Sequence, residues 1–167
     1  MIRPPHPHEI KLLPQIENAA DLRYRRAGLD LVVRMPCHSL AVLECGRRNR
    51  LLWVAASPTG RPVGFALMDI QGEIAMLDQL SVLDRWQRNG LGSALIARCR
   101  TEARARGHAL LHLTTYRDVA WNKPYYERRG FHELPRGSFN RALRGEFSIG
   151  VRHGHPVWRR AVMVQPT

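Results

Sequence analysis

The sequence predicts a mixed α/β fold in which a short antiparallel sheet leads into a strand–helix–strand unit. Three short apolar segments, residues 51–56, 63–70 and 74–82, are separated by turns that contain Gly or Pro, as in a meander. A helical repeat over residues 91–106 and a further apolar segment, 108–115, follow. A strand–helix–strand segment of this length joins parallel neighbours, so we expect strands 74–82 and 108–115 to lie side by side.

The length of 167 residues is enough for one domain with a buried core. We expect this domain to occupy residues 9–167. Residues 1–8 contain three prolines, which disfavour both helix and ladder pairing, so they predict a flexible N-terminal arm.

The chain is strongly basic, with 26 Lys and Arg against 14 Asp and Glu and a net charge of +12. This balance favours an anionic partner, either a nucleic acid, an acidic protein or a phosphate-rich small molecule. A bias towards arginine with a solvated basic surface explains the charge equally well. The charge alone does not choose among these interpretations.

The cysteines and the hydropathy pattern point to a cytoplasmic protein without a metal site. Cys37, Cys45 and Cys99 are odd in number and show no C-x-x-C spacing, which predicts free thiols rather than disulfides or metal ligands. No apolar run approaches the ~20 residues of a membrane span, and the N-terminal segment lacks an apolar signal region. We therefore expect no membrane association.

The N-terminal third predicts one strand and two helices. Residues 9–13 suit a short first strand. Pro14 suits the first turn of a helix, which would run to Gly28. Ser39 is a suitable cap for a short helix that ends at Arg47.

The helix at residues 91–106 has one apolar stripe, because apolar residues recur every fourth position and Gly107 follows as a stop signal. The stripe consists of Leu91, Leu95, Cys99 and Ala103.

The last third predicts short elements around one long connection. A short helix at 121–129 and a strand at 131–134 come first. Residues 135–156 are rich in Gly, Arg and His and predict a connection with a helical turn near 139–147. A final strand is expected at 158–164.

The strand at 74–82 leads into a glycine-bearing turn, Gln87-Arg88-Asn89-Gly90-Leu91-Gly92, at the start of the following helix. The first backbone N–H groups of a helix have no intrahelical partner and lie at the positive end of the helix dipole. Such a turn suits a phosphate group. The sequence therefore predicts a phosphorylated cofactor.

A second segment, Trp121-Asn122-Lys123-Pro124-Tyr125-Tyr126-Glu127-Arg128-Arg129-Gly130-Phe131, adds specificity to the glycine turn. With both segments in order behind a meander, the chain resembles the GNAT superfamily of N-acetyltransferases. The hallmarks of that family are an Arg/Gln-x-x-Gly-x-Gly/Ala turn and a later Asn-x-x-x-Tyr-Glu-x-x-Gly-Phe segment. The resemblance covers residues 9–134, with the core motifs in 74–134. It implies a mixed sheet whose two central parallel strands splay apart, with helices on both faces.

The resemblance implies acetyl-CoA, or a related acyl-CoA, as the donor, with no metal. The pyrophosphate of the donor would bind the backbone of the turn, formed by Gln87, Arg88, Asn89, Gly90, Leu91, Gly92 and Ser93. Gly90 and Gly92 allow the close approach that this role requires. Arg85 and Arg88 either add charge near the 3′-phosphate or belong to a solvated turn.

The resemblance also assigns roles around the thioester. The backbones of Leu80 and Val82 would bond the pantetheine amides, and the Leu80 N–H would polarise the thioester carbonyl. Asn122 would hold the pantetheine arm. Tyr126 would assist the departing thiolate as a general acid or through a hydrogen bond alone, the alternative being a purely structural tyrosine.

The residue that removes the proton from the acceptor amine is less clearly marked. Asp78 shares the side-chain parity of Leu80 on strand 74–82 and is the first candidate. Glu73 and His112 are the others, and ordered water is a further alternative. Each of these side chains also has an ordinary structural explanation. Residues 20–40 and the 135–156 connection would form the acceptor site.

The predicted function is therefore transfer of an acetyl group from acetyl-CoA to a primary amine by direct attack in a ternary complex, in a monomer or homodimer. The amine belongs to a small molecule, a protein or a peptide. The alternative is a catalytically weak GNAT-fold module that binds nucleic acid or senses acyl-CoA, which the basic charge favours.

Overall fold

The computed structural model describes all 167 residues, which form two compact units. Unit 1 contains residues 1–69 and 77–102, and unit 2 contains residues 70–76 and 103–167. Whether residues 9–167 behave as one domain stays a prediction.

Seven strands form one mixed sheet, as the predicted fold class requires. The strands are β1 Ile2–Arg3, β2 Leu52–Ala56, β3 Pro62–Gln71, β4 Ile74–Val82, β5 Leu110–Tyr116, β6 His132–Glu133 and β7 Arg160–Pro166. Their order is β1-β2-β3-β4-β5-β7-β6. The helices are α1 Leu13–Asp21, α2 Asp30–Arg34, α3 Leu40–Arg48, α4 Leu91–Ala105, α5 Lys123–Glu127 and α6 Arg141–Arg152. Short 3-10 helices occupy Pro7–Leu12, Leu22–Ala27, Asp84–Trp86, Arg136–Ser138 and Val157–Arg159.

The core of unit 1 packs the first helices against the start of the sheet. Its buried side chains come from the N-terminal segment and α1, from α3, and from β2 and β3: Ile10, Leu13, Ile16, Leu43, Leu52, Val54, Phe65 and Leu67. Every residue of β2 is buried, which explains why this strand has a continuous apolar sequence rather than an alternating one.

The prediction that prolines prevent ladder pairing in residues 1–8 is wrong for the first residues of this segment. Ile2 and Arg3 pair antiparallel with Ala55 and Val54 of β2. This is compatible with the sequence because both paired residues precede the first proline, Pro4, and keep their N–H groups.

The predicted first strand at residues 9–13 is also wrong, because the 3-10 helix Pro7–Leu12 occupies this segment. The His6 N–H donates to Glu9 Oε2 at 2.7 Å, and the Glu9 N–H donates to the His6 carbonyl at 3.0 Å. The Arg3 guanidinium holds the same carboxylate through two bonds of 2.7 Å. Local capping therefore outweighs the apolar character of the segment.

The predicted start, stop and cap signals in this region are confirmed, but the single helix predicted from Pro14 to Gly28 is an α-helix only to Asp21 and a 3-10 helix from Leu22 to Ala27. Pro14 lies in the first turn of α1, and Gly28 adopts a φ of 65° after the 3-10 helix that follows α1. The Ser39 hydroxyl caps α3 by accepting the Val42 N–H at 3.3 Å.

In unit 2, the expected parallel arrangement of β4 and β5 is visible in their contacts. His108 Nδ1 donates to the Glu73 carbonyl at 3.1 Å, and His112 Nδ1 donates to the Ala75 carbonyl at 3.2 Å. The contacts advance in the same direction along both segments, as in a parallel pair. β7 then pairs antiparallel with both β5 and β6.

The long connection at residues 135–156 is more ordered than the sequence predicts. In place of one helical turn it holds the 12-residue helix α6. Asn140 caps this helix by accepting the Leu143 N–H at 2.9 Å. Leu143 and Phe139 pack in the core of unit 2 with Val162. Burial of one helix face therefore outweighs the low helix propensity of a glycine-containing segment.

Gly64 of β3 lies so close to the end of β4 that we expect alanine here to destabilise the protein. A Cβ at position 64 would lie 2.7 Å from the Ser81 carbonyl oxygen and 2.9 Å from Val82 Cγ2. The backbone cannot yield as a side chain can, so Gly64→Ala should lower the free energy of unfolding by about 2 kcal/mol.

Gly145→Ala is the matched control, to be compared with Gly64→Ala by urea denaturation. Gly145 lies in α6, where a Cβ would meet no atom within 4 Å, and alanine also favours the helix. Equal stability of the two variants would contradict the close approach of β3 and β4.

Candidate active site

The turn after β4 is fixed to the end of that strand by the side chain of Gln87. Its Nε2 donates to the Val82 carbonyl and to Asp84 Oδ1, each at 2.9 Å. Its Oε1 accepts from the Arg23 guanidinium at 3.2 Å. The first residue of the glycine motif therefore positions the turn through its side chain.

The backbone of the turn exposes donors at the start of α4. Arg88 and Gly90 have φ angles of 62° and 76°, so two of three consecutive residues adopt the left-handed backbone region that tight turns use. A Cβ on Gly90 would meet no atom within 4 Å, which shows open space beside it. The first helical bond runs from the Ala94 N–H to the Gly90 carbonyl at 2.9 Å. The N–H groups of Leu91 and Gly92 precede that bond and have no intrahelical acceptor.

The side chains of the turn add positive charge, while α4 is anchored on its other side. Arg85, Arg88 and Asn89 are exposed. Leu95 and Cys99 are fully buried and fix the helix. Exposed arginines, open space and helix-start N–H groups together suit a phosphorylated ligand, so these residues fit the pyrophosphate that the resemblance implies.

The second half of β4 presents Asp78, Leu80 and Val82 at alternate positions. Asp78 is exposed, and Leu80 and Val82 are half-buried. The intervening residues are bonded to each other, because Gln79 Nε2 donates to Ser81 Oγ at 3.0 Å. Unit 1 thus carries Asp78, Leu80, Val82 and the glycine turn on one continuous strand–turn–helix segment.

Asp78 has a partner that the sequence did not indicate, the ring of His38. His38 Nε2 lies 3.0 Å from Asp78 Oδ2, and His38 Nδ1 lies 2.9 Å from Glu17 Oε1. Carboxylate oxygens only accept, so both ring nitrogens must carry protons and the ring is an imidazolium. Burial lowers the pKa of His38, but the hydrogen bonds to Asp78 and Glu17 outweigh it and raise this pKa to about 10.

Two further titratable groups, Asp21 and Cys37, interact electrostatically with Glu17. Burial, followed by the charge of Glu17, raises the pKa of Asp21 to about 7, against the attraction of Arg23 and His38. Burial, with the charges of Glu17 and Asp21, raises the pKa of the Cys37 thiol. The thiol therefore stays protonated, and Asp21 changes charge near neutral pH.

The predicted residues of unit 2 lie together at the start of α5. Asn122 is buried and precedes the helix, and its carbonyl accepts the Tyr126 N–H at 3.1 Å. The half-buried Tyr126 ring packs edge-on against Tyr125 and Phe131, with centroid distances of 5.2 and 5.6 Å. The packing fixes the ring of Tyr126 on both sides.

The other two candidates for the proton acceptor have structural partners or unsuitable positions. His112 is buried and bonded to the Ala75 carbonyl, and burial lowers its pKa. Glu73 lies in the exposed turn before β4, seven positions from Leu80 and therefore about 23 Å away along the strand.

Unit 2 also contains a tyrosine–histidine pair beside the end of β5. The hydroxyl of the buried Tyr116 bonds to Nδ1 of His155. Burial, followed by the charges of Arg160 and His153, lowers the pKa of His155 to about 4. The imidazole is therefore neutral, accepts a hydrogen bond from the tyrosine hydroxyl, and belongs to the packing of this unit.

No group of three or more His, Cys, Asp and Glu side chains is arranged to hold a metal ion. None of the helices combines the length and the apolar character needed to cross a bilayer.

A mixed sheet whose β4 leads through a glycine-bearing turn into α4 defines an α/β protein. The model of the acetyltransferase (GNAT) family matches residues 14–131, which include the turn and the Asn122–Tyr126 segment. The chain belongs to this family. The matched region ends before α6 and β7.

Solved structures with the same fold include several acetyltransferases. The N-acetylglutamate synthase from Neisseria gonorrhoeae, complexed with coenzyme A and N-acetyl-glutamate, is similar over 99% of this chain, with a TM-score of 0.72 and 17% identity. The present chain spans 34% of the length of that synthase. Rv2747 from Mycobacterium tuberculosis, solved with coenzyme A, matches over 100% of this chain and 99% of its own, with a TM-score of 0.73 and 14% identity.

The ribosomal-protein-S18-alanine N-acetyltransferase from Escherichia coli is similar over 99% of this chain and 92% of its own. Its TM-score is 0.66 and its identity 21%. At such identities the likeness concerns the fold, and the acceptor specificity of these proteins does not transfer to the present chain.

Proposed function

We propose that the protein transfers the acetyl group of acetyl-CoA to a primary amine in a ternary complex. The observation that carries this proposal is the turn between β4 and α4. Its two positive φ angles, the open space at Gly90 and the N–H groups at the start of α4 support a phosphate site, and the turn lies within the residues that the family model matches. Acetyl-CoA supplies an acetyl group activated as a thioester.

The backbone of residues 87–93 would hold the pyrophosphate, and Arg85 and Arg88 would add charge from exposed positions. Further back on β4, the backbones of Leu80 and Val82 would bond the pantetheine amides, and Asn122 would hold the same arm. The Leu80 N–H would donate to the thioester carbonyl oxygen, on which negative charge develops during attack. These contacts fix the reacting carbon, so positioning supplies most of the rate enhancement.

Asp78 first accepts a proton from the ammonium form of the acceptor, and the resulting neutral amine attacks the thioester carbon with formation of a C–N bond. The nitrogen then loses a second proton as the amide forms, which balances the proton that the coenzyme A thiolate takes up. As the C–S bond breaks, Tyr126 donates a hydrogen bond or its proton to the departing thiolate, which leaves as free coenzyme A. Asp78 is preferred to Glu73 and His112 because it is exposed and lies two positions before Leu80 on the same strand.

Removal of the Tyr126 hydroxyl should lower kcat more than it changes KM. A hydrogen bond to a charged group contributes about 1.5–3 kcal/mol, so Tyr126→Phe is expected to reduce kcat by about 10- to 100-fold. Tyr125→Phe is the matched control, since the Tyr125 ring packs under the Arg129 guanidinium at 3.4 Å. If both variants keep the wild-type kcat, the role of Tyr126 is structural only.

A panel of amines with detection of released thiol tests the proposal as a whole. It should contain small primary amines, lysine side chains and peptide N-termini, each incubated with acetyl-CoA. Thiol release with one class of amine supports transfer. Absence of release with every amine, together with nucleic-acid binding that weakens steeply with salt, would favour the alternative of a binding module on this basic chain.

A further inference from the structure

His38 connects two carboxylates that come from different parts of unit 1. Glu17 lies on α1, Asp78 lies on β4, and the ring of His38 bridges them. An imidazolium has no lone pair, so His38 cannot accept a proton from an amine while both bonds are present. Its contribution to the reaction must therefore be exerted through its neighbours.

Glu17 fixes the imidazolium from the side of α1. One carboxylate oxygen accepts from His38 Nδ1 at 2.9 Å, and the other accepts from the His38 backbone N–H at 3.2 Å. Glu17 is only 5% exposed. A buried carboxylate that binds both the ring and the backbone of one residue restricts the orientation of that ring.

The opposite end of the ring meets a carboxylate that solvent and substrate can reach. The side chain of Asp78 is 41% exposed and that of His38 only 24%. The bond from His38 Nε2 engages Oδ2 of Asp78 and leaves Oδ1 outside this pair. One fixed and one uncommitted oxygen suit a carboxylate that receives a proton from a substrate.

We propose that His38 is a positioning residue, which Glu17 holds in place and which orients Asp78 for proton transfer from the acceptor amine. This inference rests on the proposed function. The three groups carry two negative charges and one positive charge, so the trio still attracts an amine in its cationic form. The other charged or titratable groups that face it are Asp21 on α1, Arg23 after α1, and the Cys37 thiol.

Two substitutions of His38 each keep one of its two side-chain hydrogen bonds and remove the other. The two variants carry the same charge at this position. In His38→Asn the amide nitrogen takes the place of Nδ1, so the bond to Glu17 is kept and the bond to Asp78 is lost. In His38→Gln the amide nitrogen takes the place of Nε2, so the bond to Asp78 is kept. Both variants replace a cation by a neutral amide.

The positioning role predicts that His38→Asn lowers kcat about tenfold and that His38→Gln stays within about threefold of wild type. His38→Gln should have the lower Tm, because it leaves the buried Glu17 without its ring partner. Coenzyme A affinity, measured by calorimetry, should not change in either variant. Asp78→Asn should lower kcat, and adding His38→Asn to it should have no further effect, because the two residues act as one unit.

If His38 has a purely structural role, kcat should follow stability. His38→Gln, the less stable variant, would then have a lower kcat than His38→Asn. That result, or equal kcat values for the two variants, would overturn the inference and leave the acetyltransferase proposal intact. The ¹⁵N chemical shifts of the His38 ring in the free protein test the imidazolium without turnover. A neutral ring at pH 7 would also overturn the inference, and absence of thiol release by the wild-type protein would overturn both.

Discussion

Replacement of Gly92 by arginine should abolish coenzyme A binding. Gly92 lies in the first turn of α4, directly after the open turn that contains Gly90. Its N–H precedes the first helical hydrogen bond, from Ala94 to Gly90, and is available to a phosphate oxygen. A long side chain here would occupy the volume that the pyrophosphate needs. We expect affinity to fall by at least about 100-fold, equal to about 2.8 kcal/mol, in a calorimetric titration.

The choice of arginine makes the test stringent, because its charge attracts phosphate while its bulk excludes it. A loss of binding can therefore not be attributed to electrostatic repulsion. Ala97→Arg is the matched control, with the same charge added at an exposed position of the same helix five residues further on. This variant should keep wild-type affinity. Unchanged affinity in Gly92→Arg would contradict the assignment of the turn as the phosphate site.

The elements that the sequence predicts well are those whose signals are local. The strand predicted at residues 74–82 is β4, Ile74–Val82, and the helix predicted at 91–106 is α4, Leu91–Ala105. Both are bounded by turns with glycine. The strand begins with a run of four apolar residues, and the helix has an apolar residue at every fourth position. The glycine turn between them belongs to the same local segment, so this part of the candidate site could also be predicted.

The elements that the sequence does not predict depend on distant partners. Ile2 pairs with Ala55 across more than fifty positions, and no pattern within residues 1–8 specifies such a partner. Helix α6 forms because Phe139 and Leu143 find a place in the core beside Val162. Tertiary packing of this kind outweighs intrinsic propensity and cannot be derived from a window of neighbouring residues.

The same limit applies to the site. Asp78 could be identified from its parity on the strand, but its partner His38 lies 40 positions earlier, and Glu17 lies a further 21 positions before that. One signal was present, because Glu17 lies on the buried face of α1 with Leu13 and Ile16. A buried carboxylate on an apolar helix face requires a cationic partner. The sequence therefore predicts that Glu17 has such a partner but does not identify it as His38.

The Asp21→Asn variant should be more stable than the wild type at pH 8. The pKa of Asp21 in the folded protein is about 7, against an ordinary value of 3.8 for an aspartate. The folded state therefore holds this proton more tightly, and the free energy of unfolding falls as pH rises from about 4 to 7. Asparagine carries no charge to be desolvated beside Glu17. Since one pKa unit corresponds to about 1.4 kcal/mol, we expect a gain of about 2 kcal/mol after allowance for partial solvation.

Urea denaturation at several pH values checks this expectation. The quantity to compare is the difference in the free energy of unfolding between Asp21→Asn and the wild type. The difference is the appropriate measure because His155, with a pKa lowered to about 4, stabilises the fold increasingly as pH rises over the same range. At pH 4 the two proteins should be equally stable, and the difference should grow until about pH 7. A difference that does not depend on pH would show that Asp21 is ionised throughout.

His38 should act in a separate and higher pH range. Because the pKa of His38 is raised from 6.5 to about 10, its stabilising effect is complete below pH 6.5 and is lost as pH rises through 10. Asp21→Asn should therefore keep the decline in stability between pH 6.5 and 10, whereas His38→Gln should lose it. Glu17 interacts with both Asp21 and His38. If Asp21→Asn shifts the pH range in which stability declines with His38 deprotonation, the size of that shift measures how strongly the carboxylates of α1 determine the charge of the His38 ring.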